Sequence, residues 1–446
     1  MLQSLQDVFK IPELKRRLLI TLGILAIYRL GAAVPTPGVN AQALLNFFET
    51  QKGTLFGFLD MFSGGALGRF SIFALGIMPY INASIIMSLL QTVVPYFEQL
   101  AKEGDAGRRR ITQYTRYGTV ALAAIQAFGL TFLIQGLEKQ TMAGSIVRNP
   151  GLSFELMTIL TLTAGTIFIM WLGEQITEYG VGNGISLIIF AGIVDRLPSV
   201  LGNTYQLFNT GEVSLFKVLF LLVLVVVIVA GVIFIEQGQR RIPVQYAKRI
   251  VGRKMYGGQS TYLPLKVDQS GVIAVIFAVS LMMMPMTVVQ FLPKGQFSFI
   301  HTAVEWLSRG SLVYDIFYVA LIIFFCYFYT AITFNPNDLA ENMKKFGGFI
   351  PGIRPGAPTA EYIDKILTRI TLVGAVFVAC IAVIPDYIFR GLGVSFWSSI
   401  FSGTAILIVV GVALDTMGQI ESHLVMRHYD SFMGKGRLKG RYFNIK

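Results

Sequence analysis

Ten apolar blocks recur along the chain, near residues 18–34, 72–95, 118–137, 154–172, 184–201, 215–235, 271–292, 312–334, 366–385 and 400–417. Each is about the length of an α-helix that crosses a hydrocarbon core. In lipid a segment must satisfy its own backbone N–H and C=O groups, which makes the helix the spanning element for blocks of this length. Composition agrees: of 446 residues, 54% are hydrophobic and 14% charged, and the mean hydropathy is +0.63, too apolar for a soluble globule. The expected fold class is an all-α polytopic membrane protein of ten transmembrane helices, an even number that puts both termini on one side.

Lysine and arginine decide which side that is. The N-terminal segment (Lys10, Lys15, Arg16, Arg17), the loops near 96–117, 236–269 and 335–369, and the C-terminal tail together hold 27 basic residues, against 8 in the intervening loops. The excess reads both termini as cytoplasmic. It also accounts for the +12 formal charge without nucleic acid. The start, Lys15-Arg16-Arg17 followed by an apolar run and Gly31-Ala32-Ala33, imitates a secretory signal. Arg29 interrupts that run, and losing the helix would invert the charge asymmetry, so a retained span is expected. Halves of five helices, roughly 1–205 and 206–446, would have opposite orientations and permit an inverted repeat about an axis in the membrane plane.

Three regions depart from plain spans. The stretch Phe56–Val94 is too long for one helix; it is broken by Gly64, Gly65 and Gly68, carries Arg69, and then runs on as a helix expected to contain Pro79. Broken backbone cannot lie bare against lipid, which leaves two readings open: a re-entrant or cavity-plugging element, or an apolar external loop. The cytoplasmic loops 236–269 and 335–365 are long and basic. In the first, Val244, Tyr246, Ile250, Val251 and Tyr256 interleave with Arg240, Arg241, Lys248, Arg249, Arg253 and Lys254, a pattern that suits a projecting strand or hairpin.

Reactive chemistry is sparse. There is no phosphate loop of the GxxxxGK[ST] type, and His301, His423 and His428 form no HExxH pair, so nucleotide binding, a motor and metal catalysis are unsupported. Cys326 and Cys380 lie inside spans and form no CxxC site. The spans are nearly free of ionisable groups apart from Arg29 and carboxylates near their ends, such as Glu174 and Asp415, which weakens a second reading, a small-solute secondary transporter. Polar residues such as Asn82, Ser84, Ser88 and Gln126 offer weak interhelical contacts, each about 0.6–2 kcal/mol, that would let a bundle separate.

Several blocks carry a resemblance. FSGGALGRFSIFALGIMPYINASIIMSLL (62–90), EGDAGRRRITQYTRYGT (103–119), WLGEQITEYGVGNGISLIIFAGIV (171–194), GQRRIPVQYAKR (238–249), STYLPLKV (260–267), FIPGIRPG (349–356) and TAEYIDKILTR (359–369) resemble, in order, the signature blocks of the bacterial SecY family, with minor departures at Tyr179 and Val181. The resemblance implies no enzyme and no cofactor but a channel in the bacterial cytoplasmic membrane, passing unfolded preproteins across and releasing transmembrane segments sideways into lipid. It implies an apolar pore ring at Ile77, Ile81, Ile185, Ile189, Ile276 and Ile408. The first two pairs are spaced i, i+4 and can share a helix face, and a narrow apolar neck gates by dewetting. It implies a plug, a short helix at Phe62, Ser63, Gly64, Gly65, Ala66, Leu67, Gly68, Arg69 and Phe70, and a lateral gate with Asn82, Ser84, Gln126 and Met283. Arg240, Arg241, Lys248, Arg249 and Arg354 match the family's contacts to the SecA ATPase or the ribosome. SecE, SecG, signal peptides and lipid complete the implied partners, with energy supplied by the partner because this chain binds no nucleotide.

Overall fold

The computed structural model describes residues 11–40, 44, 60, 63–138, 147, 151–211, 213–246, 249–251, 254–256, 260–289, 311–393, 397 and 401–435, with backbone alone at 136–138, 249–251, 254–256, 260, 284–289 and 426–435. In chain order the elements are α1 (Pro12–Ala33), α2 (Met78–Val93), α3 (Pro95–Lys102), α4 (Asp105–Glu138), α5 (Leu152–Tyr179), α6 (Gly184–Val194), α7 (Leu197–Asn209) and α8 (Leu215–Glu236). There follow β1 (Gln239–Tyr246), β2 (Arg249–Val251), β3 (Lys254–Tyr256), β4 (Ser260–Lys266), α9 (Val272–Val289), α10 (Leu312–Thr333), α11 (Pro336–Lys345), β5 (Gly348–Phe349), α12 (Ala357–Gly391) and α13 (Gly403–Lys435). Each of the ten apolar blocks overlaps, among the described residues, a helix of this series, the 72–95 block only from Met78 and the 184–201 block across α6 and α7. Among the described residues, seven helical stretches are long and apolar enough to cross a membrane, and α2 with α3 makes an eighth if the bent pair is one span.

Proline places two of the breaks. Pro95 pushes Val94 out of the helical region, to φ −102° and ψ 116°, and α3 leaves α2 at 96°. Pro79 corrects an expectation: residues 72–77 form turns and α2 begins only at Met78, so Pro79 sits in the first helical turn rather than inside a helix. Its missing N–H has no intrahelical partner to lose there. The turns survive in the interior because they dock tightly on α5: a Cβ on Gly165 would fall 1.9 Å from the Ile72 carbonyl oxygen.

The largest buried cluster draws side chains from α1, α2, α5, α6, α8, α9, α10, α12 and α13. α8 contributes least, with Val232 alone buried in this cluster and Leu221 in a smaller one; many of its other apolar residues, such as Leu219, Leu222, Val226 and Phe234, are exposed, as suits a lipid-facing helix. Across the 205/206 boundary, α9 packs against α2 and α13 against α6, while the Trp397 indole N–H donates to Thr204 Oγ1 of α7 at 3.1 Å.

Beyond the helices, β1 pairs antiparallel with β4 from Gln239↔Lys266 to Gln245↔Ser260, the hairpin expected of the first basic loop, and β2 pairs with β3. Not expected was β5, from the second loop, which adds to the other edge of β1 at Gln245 and Tyr246 to give the order β4-β1-β5. Pro243 is tolerated in β1 because it lies where β5 does not reach. The sheet has one buried face: Ile242, Val244 and Leu265 pack with Met343 of α11, Ile350, and Ile363 and Leu367 of α12.

Candidate functional site

The six isoleucines expected to form a ring come from four helices and fall into one packed region. Ile77, at the N-cap of α2, Ile81, Ile189, Ile276 and Ile408 are buried members of the central cluster, and Ile185 is partly buried against it. α6 is aimed there by a polar frame at its start. The Asn183 side-chain oxygen accepts from Ile185 N–H at 3.1 Å and Ser186 N–H at 3.3 Å, a helix N-cap. Gly184 N–H donates to Thr177 Oγ1 at 2.9 Å, Val181 N–H to Thr21 Oγ1 at 3.0 Å, and Gly182 N–H to Gln419 Oε1 at 2.9 Å. The polar and glycine residues of the 177–184 stretch thereby tie α5, α1 and α13 to the start of the helix bearing Ile185 and Ile189.

The described part of the segment expected as a plug, residues 63–70, is largely buried. Ser63, Gly64, Ala66, Leu67, Gly68 and Phe70 are buried, Gly65 is half-buried and Arg69 exposed; Phe62 lies outside the described residues. A short helix was expected, but residues 63–70 are consecutive turns. Gly64 at φ +65° and Gly65 at φ +82° account for that, since positive φ breaks a right-handed helix. Ala66 belongs to the same cluster as the isoleucines, while Leu67 and Phe70 pack in a neighbouring one with α4 and α5 side chains. Four charges form pairs that the sequence reading did not foresee, although it had singled out Arg29. Arg196 Nη2 meets Asp60 Oδ2 at 2.5 Å, Arg29 pairs with Asp195, and Arg29 Nη1 donates to the Gly64 carbonyl at 3.1 Å. The legible signal was the Asp195-Arg196 dipeptide inside the 184–201 block, with Arg29 alone inside another.

At the seam between α2 and α9, Met283 is buried, and Asn82 and Ser84 on α2 and Gln126 on α4 are half-buried. Ser88 does not bridge helices; its hydroxyl donates to the Ser84 carbonyl of its own helix at 2.9 Å. Glu174 is accounted for by a two-pronged contact with Arg116, Nε to Oε1 and Nη2 to Oε2, both 2.8 Å, joining α4 to α5.

On the sheet side, Arg240 and Arg241 are exposed on β1, Arg249 lies in β2, and Lys248 falls outside the described residues. Arg354 is exposed in the turn before α12. Its carbonyl, not its guanidinium, is tied into the loop, accepting from Thr359 Oγ1 at 2.8 Å.

Apolar helices converging on one seam, with a basic sheet beyond them, define the class: a polytopic α-helical membrane protein. A family model described as SecY matches residues 71–417. The Protein translocase subunit SecY of Escherichia coli (strain K12) is 48% identical over 429 residues, 96% of each chain, and that of Thermus thermophilus is 47% identical over 99% of this chain and all of its own. Of solved structures, one described as "The structure of a protein conducting channel" aligns with TM-score 0.64 at 18% identity, covering 97% of this chain and 99% of its own. Sec61 in a canine ribosome-channel complex from the endoplasmic reticulum aligns with TM-score 0.60 at 16% identity, with the same coverages; both likenesses are of fold. The chain belongs to the SecY family.

Proposed function

We propose that this chain is a passive protein-conducting channel of the bacterial cytoplasmic membrane, with both termini cytoplasmic, driven by SecA or the ribosome and assembled with SecE and SecG. The observation that carries the reading is the burial of Ile77, Ile81, Ile189, Ile276 and Ile408, from four helices, in one apolar cluster against which Ile185 packs and to which Ala66 of the 63–70 segment also belongs. A neck with only hydrocarbon groups gives an ion no replacement for its hydration shell, so it dewets and seals when closed. When helices part, the same side chains offer a sequence-indifferent lining to an extended chain. In this reading residues 63–70 plug the resting neck, and α2 and α4 facing α9 and α10 form the lateral gate, where Met283 offers a pliable surface to varied signal helices. Arg240, Arg241, Lys248, Arg249 and Arg354 supply the docking charges, with Arg354 held outward by its turn.

Reconstitution into vesicles with SecE, SecG, SecA and ATP tests the reading. A signal-bearing preprotein is expected to become protease-protected inside; failure under conditions where a family relative succeeds would overturn it.

A further inference from the structure

We propose that Asp195 and Arg196, the adjacent residues between α6 and α7, form a two-armed electrostatic latch that holds the 63–70 segment in its resting position; this rests on the channel reading above. The two residues carry opposite charges and reach different elements. Arg196 pairs with Asp60 at 2.5 Å, and Asp195 pairs with Arg29 of α1.

Each arm ends on the segment's backbone. The Asp60 carboxylate that meets Arg196 also accepts from Gly68 N–H through Oδ1 at 2.6 Å. The Asp60 carbonyl accepts from Gly65 N–H at 2.9 Å and Ser63 Oγ at 3.0 Å, so Asp60 gathers the turn that Arg196 holds. On the other arm, Arg29 Nη1 donates to the Gly64 carbonyl at 3.1 Å, and neighbouring Tyr28 donates its hydroxyl to the Ser63 carbonyl at 3.3 Å. The end of α6 can stand this close because two glycines meet: a Cβ on Gly64 would lie 2.9 Å from Gly192 Cα.

Charge suits a part that must release and return. Leu67 and Phe70 seat the segment on its α4 and α5 side, but only Ala66, a single methyl group, joins the isoleucine cluster, so on the side facing α1 and α6 apolar burial contributes little and the ion pairs set the position. The Arg196 and Asp60 side chains are each only 17% exposed, so water screens them little while the segment is seated. Once a transiting chain dislodges the segment, both charges regain water, and their attraction guides the segment back.

The test uses the full chain with its partner subunits in planar bilayers, reading ion conductance without preprotein, alongside preprotein transport and melting in detergent. Arg196→Asp is expected to raise resting conductance on the order of tenfold, the effect of a modest shift in the seated population. Arg196→Lys keeps a positive charge opposite Asp60 and leaves the Asp60 contact with Gly68 N–H in place, and is expected to hold conductance within about twofold of the parent, which a merely structural loss would not do. Parental conductance in Arg196→Asp, or an Arg196→Lys variant that leaks as much as Arg196→Asp, overturns the latch. Should Arg196→Asp fail to assemble, Arg196→Gln carries the same reading: conductance above the parent supports the latch and parental conductance overturns it. Normal preprotein transport with unchanged conductance sinks the latch alone, whereas absence of transport in the parent sinks the channel reading and the latch with it.

Discussion

Asp268, between β4 and α9, is a buried carboxylate whose Oδ1 accepts from Gly271 N–H at 2.8 Å and Ser270 Oγ at 2.9 Å. Burial pushes its pKa up, and the hydrogen bonds oppose the shift without cancelling it. A carboxyl whose folded-state pKa exceeds its unfolded one favours folding most at low pH, and that contribution is lost as pH rises through the folded value. Asp268→Asn keeps an oxygen acceptor and removes the buried charge. It is expected to raise the melting temperature near about pH 8, with the gain shrinking toward about pH 5; equal shifts at both pH values would contradict the assignment. At Arg354 the side chain is exposed and the loop is tied through its carbonyl, so Arg354→Glu is expected to slow SecA-driven transport by roughly tenfold through a reversed contact charge. Melting should stay within about 0.5 kcal/mol of the parent, as for a surface change. Normal transport would remove the docking role.

Helix α6 owes its start to Asn183, which caps two N–H groups. Asn183→Ala is expected to lower stability by about 1 kcal/mol, and Asn183→Asp, which keeps the acceptor, to recover most of it; denaturant titration in detergent distinguishes this from no effect. The elements show what the sequence could and could not reveal. Block length and apolar run marked the seven or eight spans found among the described residues, because a helix in lipid is specified locally. The β1–β4 hairpin was legible for a similar reason, its alternation placing Ile242 and Val244 inward. The turns at 72–77 were hidden, because they depend on contact with Gly165, more than eighty positions away. The two-residue β5 was hidden too, being far below the length at which alternation can be counted. Residues 63–70 were marked as broken by their glycines, but their turns depend on Asp60 and Arg196, partners that no local pattern announces.

At the scale of the molecule, α2 meets α9 and α6 meets α13, and the isoleucines that the SecY resemblance selected one by one sit on these four elements, Ile77 at the N-cap of α2. Composition alone could not have chosen them, since isoleucine in a span is ordinary packing or lipid-facing surface; their gathering in one cluster is information the fold adds. Ile77, Ile189 and Ile408 are each at 1% exposure or less, so in the channel reading proposed above a transiting chain would need the helices to part around them. The most direct measurement stalls a preprotein in the reconstituted complex and crosslinks it to single cysteines placed at 77, 81, 185, 189, 276 and 408, with Cys326 and Cys380 replaced. Adducts are predicted at most of the six positions, only while a chain is stalled. A chain that transits and is protected inside the vesicle without labelling any of them would contradict the account.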